Sequence, residues 1–139
     1  MTAITELELA IKTERSLAHA LQVQLDRVIT RLSFTDLAKA GLARAYRWHP
    51  GGLTDWSVSD WAVAAAGEIG EALNAVKKYN RARDGIQGAT ATAEDIGKEI
   101  ADTVIYLDLL AQRLGLSLET LVREKFNAVS EREGFPERI

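Results

Sequence analysis

Glu68 and Glu71 stand three residues apart in the segment Trp61 to Lys78, WAVAAAGEIGEALNAVKK, and Glu99 and Asp102 repeat that spacing in Lys98 to Ala111, KEIADTVIYLDLLA. Residues three apart on a helix share a face with ~4.5 Å between them along the axis, so each pair can present two carboxylates to a common point. Two such helices facing each other make a four-carboxylate cage. Its flanks are apolar: Ile69, Ala72 and Leu73 surround the first pair, and Ile100, Val104 and Ile105 the second, which predicts helices half buried or more. Gathering several buried negative charges is costly unless a cation compensates. Oxygen donors unaccompanied by His or Cys favour Mg²⁺ or Mn²⁺ over zinc. The bland alternative is two solvated acidic faces, and for a single ExxE or ExxD that is the commoner outcome. The joint pattern argues against it, because Ala64 and Ala65 on the same side as Glu68 leave room for something else.

Cations follow close behind. Lys78 lies two turns beyond Glu71 on the same side, and KKYNRAR adds Lys77, Arg81 and Arg83, a possible phosphate contact beside a metal site. A solvated basic helix end, favoured by the helix dipole, explains Lys77, Arg81 and Arg83 equally well.

The elements that must position these groups are all helical. Ile4, Leu7, Ile11, Ala18, Leu21, Leu25, Val28 and Leu32 alternate in threes and fours, a heptad seam interrupted at Glu14, on a helix on the order of 40 Å long. It reads either as an oligomerisation element or as a helix packed on its own domain. Thr35 to Trp48 makes a second, shorter helix. Pro50, Gly51 and Gly52 end it, so His49 to Ser57 is a loop and Ser57 or Ser59 caps the first carboxylate helix. Gly85 and Gly88 mark the next break, the second carboxylate helix runs from about Ala93 to Leu114, and Gly115 then Ser117 separate it from a last helix reaching roughly Glu131. No stretch alternates apolar and polar residues as a strand would. The fold class is therefore all-α, a helical bundle with residues 1–33 as an N-terminal heptad helix and 34–139 as the domain that carries the carboxylates.

Composition limits the function. The chain has 139 residues, 47% hydrophobic and 27% charged, with a net charge of −3 and no cysteine. That is one domain's worth of chain, with no global attraction to a nucleic acid polymer or an anionic membrane and no disulfide or thiolate metal site. The acidic N-terminus lacks a signal-peptide pattern and no apolar run approaches ~20 residues, so a soluble cytoplasmic protein is expected.

GEIGEALNAVKK followed by KEIADTVIYLDLLAQRLGLSLETLVREKFNAVSERE resembles the MazG-like all-α nucleoside triphosphate pyrophosphatases, whose signature is an EExxE helix, a variable gap and an ExxD helix. The resemblance runs from about His49 to Glu133, including the LG turn at Leu114 and Gly115 and the later KFN. It implies hydrolysis of the α–β phosphate bond of a nucleoside triphosphate to monophosphate and pyrophosphate with Mg²⁺, in homodimers or homotetramers. Glu68, Glu71, Glu99 and Asp102 would be the metal ligands and catalytic residues. Lys78 and Lys125 would hold the β and γ phosphates and Asn127 would add a hydrogen bond, with such residues supplied by a neighbouring subunit in some members. One departure is plain: Gly67 stands where the first glutamate of EExxE is expected.

For the base, Trp61, Tyr106, His49 and Trp56 are candidates for stacking, against the alternatives that a Trp on a small-residue helix fills a core and that His49 caps its helix end. Two rival functions bear on the same residues. A di-iron carboxylate bundle expects Glu-x-x-His on two helices, and His19 and His49 are not so placed. A non-enzymatic helical interaction module would use the heptad helix to dock a partner and leave the carboxylates on the surface.

Overall fold

The computed structural model describes residues 3–29 and 32–139; within the first helix, the side chains of residues 3–10, 24 and 26–29 fall outside the described set. Five α-helices follow one another: α1 (Ala3–Ile29), α2 (Phe34–Trp48), α3 (Val58–Arg83), α4 (Ala93–Arg113) and α5 (Leu118–Glu133), with one 3₁₀ turn at Gly52–Thr54 between α2 and α3. No strand occurs among the described residues. The chain divides into two compact units, residues 1–33 and 34–139.

In the first unit α1 is a single helix, and Ile11, Leu21 and Leu25 of the expected seam are exposed. Ile4, Leu7 and Val28, which would extend that seam, are among the residues whose side chains are not described.

In the second unit α3 and α4 pack as an antiparallel pair. Trp61 meets Tyr106 near one end, Glu68 meets Glu99 in the middle, and Lys78 shares a hollow with Asp95 near the other. Local chemistry fixes where these helices start. The Ser57 hydroxyl accepts from the Asp60 N–H at 3.2 Å while the Asp60 carboxylate accepts from the Ser57 N–H at 2.9 Å, a reciprocal cap that satisfies two otherwise orphaned donors. Thr92 and Asp95 repeat it at 3.1 and 2.9 Å on α4. Glycines mark where α4 and α5 stop. The Leu116 N–H reaches the Ala111 carbonyl at 2.9 Å across Gly115, which sits in the left-handed region at φ 72°, and Gly134 closes α5 the same way.

The centre of the unit is Ala45 from α2, Trp61 from α3 and Leu109 from α4, with Leu53, Trp56, Ile105, Tyr106 and Leu110 around them. Trp61 is 1% exposed and its indole N–H donates to the Leu53 carbonyl at 3.0 Å, so the loop after α2 is held over the start of α3. Gly52 lets that loop pass: its φ is +60°, and a Cβ there would strike the Tyr46 ring. Two hydrogen bonds complete the frame, from Arg113 Nε to the Trp56 carbonyl at 3.0 Å and from Gln112 Nε2 to the Ala38 carbonyl at 3.2 Å.

One expectation is corrected at the flanks of the carboxylates. Leu73 is 64% and Ile100 55% exposed, and Ile69 and Val104 are exposed too, whereas Ala72 and Ile105 are partly buried. Helical spacing reports a face that gains from being covered; it does not say that the same chain covers it.

Candidate metal centre

α3 and α4 bring Glu68, Glu71 and Glu99 together. One carboxylate oxygen from each lies within 4.8 Å of the others. The antiparallel packing does this because Glu68 lies on the side of α3 that carries Ala65 and Ala72, small residues that let α4 approach, and Glu71 lies one turn on. Asp102 stays outside the trio, exposed one turn beyond Glu99, yet close enough for its charge to act on Glu68.

Electrostatics single out Glu68. Desolvation, then the charges of Glu71, Asp102 and Glu99, raise its carboxyl above the ordinary 4.5. A carboxyl drawn partly out of water among like charges takes up a proton more readily than one free in solution. Because the folded state then binds that proton before the unfolded chain does, the contribution to stability improves as pH falls from neutral toward 4.5 and is least favourable at neutral pH. Asp108, raised by burial, acts with the same sign. In the presence of a chelator, melting temperature is therefore expected to rise between pH 7.5 and about 5, and Glu68→Gln to flatten part of that slope. A melting temperature that falls over the interval, or a slope unchanged in Glu68→Gln, would show that the carboxylates do not crowd one another.

The donor set fits a hard divalent cation. All three groups are carboxylates, and oxygens on an octahedral Mg²⁺ at ~2.1 Å lie about 3 Å apart, within reach of small side-chain rotations from the separations here. Glu68 and Glu99 are half buried and Glu71 is exposed, so one side of the trio opens to solvent and to a further ligand.

Hollows lie on either side along α3. One, of about 350 Å³, is lined by Glu71, Asn74, Lys78, Thr90, Asp95 and Glu99. Of the four basic residues in KKYNRAR, Lys78 alone enters it; Lys77 and Arg81 line a separate groove with Leu73 and Asp84, and Arg83 is paired with Asp84 at 2.7 Å. Asn74 and Thr90 are additions that sequence reasoning missed. Asn74 could have been found from its position one turn past Glu71, whereas Thr90 reaches the hollow only because the loop between α3 and α4 folds back. The other hollow, shallow and open, is lined by Trp56, Asp60, Val63 and Ala64, one turn before Glu68.

The aromatic candidates separate by burial. His49 and Trp56 pack at 4.9 Å and Trp56 and Trp61 at 4.7 Å between ring centroids, with Tyr106 6.3 Å from Trp61. Trp61 is a correction: fully enclosed, with its indole N–H engaged, it has no face left for a base and serves as core. His49, Trp56 and Tyr106 are each partly exposed. On α5, Lys125 is exposed and Asn127 is engaged with the tail, donating to the Ile139 carbonyl and accepting from its N–H, both at 3.0 Å. Neither residue lines the hollow that holds Glu71 and Lys78.

No family model, curated protein or solved structure matches the chain. What the site can do rests on its carboxylate geometry. Among the described residues, no helix is long and apolar enough to cross a membrane.

Proposed function

We propose that the protein is a Mg²⁺-dependent nucleoside triphosphate pyrophosphohydrolase, cleaving the α–β phosphate bond to give a nucleoside monophosphate and pyrophosphate. The observation that carries this reading is the convergence of Glu68, Glu71 and Glu99 within 4.8 Å, with Asp102 adjacent and a lysine-bearing hollow beside them. The resemblance of GEIGEALNAVKK and KEIAD to the MazG-like signature points to the same chemistry.

The layout along α3 suits an elongated, polyanionic substrate. From Ala64 to Lys78 the helix advances ~21 Å at ~1.5 Å per residue, passing the Trp56 hollow, the carboxylates and Lys78 in that order. Trp56 offers a partly exposed ring for a base, Lys78 a cation for the terminal phosphates, and Asn74 and Thr90 neutral donors beside it. Held by the three glutamates, Mg²⁺ would supply charge neutralisation for the triphosphate and a more acidic water. Asp102, beside the trio and outside it, would be free to accept the proton as water attacks the α-phosphorus and the bond to the β-phosphate oxygen breaks. Gly67 leaves that corner open, since a Cβ there would meet no atom within 4 Å.

The same reading includes a homo-oligomer. Val63, Leu73, Ile100 and Val104 leave an apolar surface beside the carboxylates that a monomer exposes to water, and Lys125 and Asn127 would come to the site only from another subunit. Sedimentation at micromolar concentration is expected to show a species at least twice the 15.3 kDa of the chain; a monomer throughout would remove the oligomer from the proposal. The exposed Ile11, Leu21 and Leu25 of α1 and these faces also favour a second reading, a helical interaction module without catalysis. A panel of ribo- and deoxyribonucleoside triphosphates with Mg²⁺ separates the two. Monophosphate plus pyrophosphate, abolished by chelator, is the expected product; diphosphate plus phosphate, or no turnover with Mg²⁺ raising the melting temperature by less than about a degree, would sink the pyrophosphohydrolase reading.

A further inference from the structure

A second acidic site lies on the far side of α4. Asp108 is nine residues beyond Glu99, two and a half turns, which turns it to the opposite face of the helix. It is 2% exposed, the most deeply buried charged side chain among the described residues. Among those residues its one hydrogen bond is accepted by Oδ2 from the neutral Gln112 amide at 2.7 Å, and none of them makes an ion pair with it. A carboxylate taken out of water with a single neutral donor is poorly compensated. Taking up a proton, which burial favours, or holding a cation would each complete it.

Asp108 lies at a hollow of about 230 Å³ between the start of α2, the end of α4 and the start of α5. Phe34, Ala38, Leu116 and Leu118 give it apolar walls, and Thr35, Gln112 and Ser117 add few polar atoms. The space is enough for several waters or a chain of about five heavy atoms. Two other charged groups belong to it. Glu119 is already committed, accepting from Arg123 at 2.9 Å and from the Thr35 hydroxyl at 3.3 Å; Lys39 on α2 makes no ion pair with Asp108. A carboxylate at an apolar hollow of this size matches one chemistry, a cationic head on a short hydrocarbon tail.

We propose that the hollow holding Asp108 and walled by Phe34, Ala38, Leu116 and Leu118 binds a small primary alkylammonium ion. The ammonium donates to Asp108 and the alkyl chain lies along the apolar walls. The site is independent of the carboxylate trio and of the pyrophosphohydrolase reading.

The test uses the full chain and n-butylammonium chloride, with n-butanol as the neutral isostere, followed by amide chemical shifts of Ala38, Gln112 and Leu116. Saturable shifts in the millimolar range or tighter, on the order of what five heavy atoms can deliver, are expected for the cation. Binding should be at least about tenfold weaker for n-butanol and for Asp108→Asn, and unchanged in Glu71→Gln. Lys39→Ala, which removes the nearby positive charge without touching Asp108, should bind the cation as tightly or more tightly. In the wild type, affinity for the cation should fall as acidification protonates Asp108, whose neighbours Gln112, Lys39 and Glu119 supply no full counter-charge, while the n-butanol signal stays flat. Equal binding of both probes, cation binding unaltered in Asp108→Asn, weaker binding in Lys39→Ala, or no saturable shift in the wild type would each overturn the proposal.

Discussion

Glu71→Gln is expected to lower nucleoside triphosphate turnover by about 10³-fold while leaving the helices intact. The amide keeps the shape of the side chain and removes one negative ligand from a trio whose oxygens converge within 4.8 Å. Loss of well-placed charge stabilisation at a metal-assisted step is worth several kcal/mol, and each ~1.4 kcal/mol is a factor of ten in rate. Fold stability should not fall, because Glu71 is exposed and the charge that the substitution removes is one that crowds Glu68. Glu68→Gln should lose as much activity but behave differently without metal. It relieves the burial and crowding that raise its carboxyl, so the metal-free variant is expected to melt higher than wild type at neutral pH. Asp102→Asn reports separately on a residue that stands outside the trio. If it removes both turnover and stabilisation by Mg²⁺, Asp102 moves in when the cation binds. Wild-type turnover in Glu71→Gln would take the carboxylates out of the mechanism altogether.

Trp61→Ala should cost about 3–5 kcal/mol of folding free energy, the range for deleting a large buried aromatic. The side chain touches Trp56, His49 and Tyr106, packs in the cluster with Ala45 and Leu109, and holds the Leu53 carbonyl through its indole N–H. Total stabilities of ~5–15 kcal/mol leave little margin for such a loss, so urea unfolding should show a much lower midpoint or a chain already partly unfolded at about 37 °C. Trp61→Phe keeps most of the packing and removes the hydrogen bond, which is worth about 0.5–1.5 kcal/mol. Trp56→Ala is the contrasting variant. Partly exposed and facing the open hollow beside Ala64, it should remain folded while KM for nucleotide rises. A Trp61→Ala protein within about 1 kcal/mol of wild type would contradict the burial on which this assignment to the core rests.

Much of the fold is legible in the amino-acid sequence. The helices can be read because their boundaries are written in local chemistry: Ser57 and Ser117 accept from backbone N–H groups three residues on, and Gly115 takes a left-handed φ that stops α4. The reciprocal cap at Thr92 is equally local but harder to see, its T-x-x-D hidden in the run TATAED. The two carboxylate pairs also follow from spacing alone, since three residues on a helix fix a shared face whatever else the chain does.

What sequence by itself determined, then, is what depends on neighbours a few residues away: five helices, their ends, and which residues share a face. The tertiary structure decided everything that depends on how two elements meet. Whether Trp61 stacks on a ligand or fills the core turned on the loop that folds over it, and its intrinsic chemistry allows both. Glu68, Glu71 and Glu99 converge while Asp102 stays aside because the register of α3 against α4 places them so, and no spacing within either helix encodes that register. That Lys78 faces away from Lys77 follows from ~100° per residue within the helix, but that its side becomes a hollow, lined also by Thr90, Asp95 and Glu99, was decided by the packing. Leu73 and Ile100 read as buried in sequence and lie open in the fold, because hydrophobicity sets the free energy gained on covering a face and only packing determines what covers it.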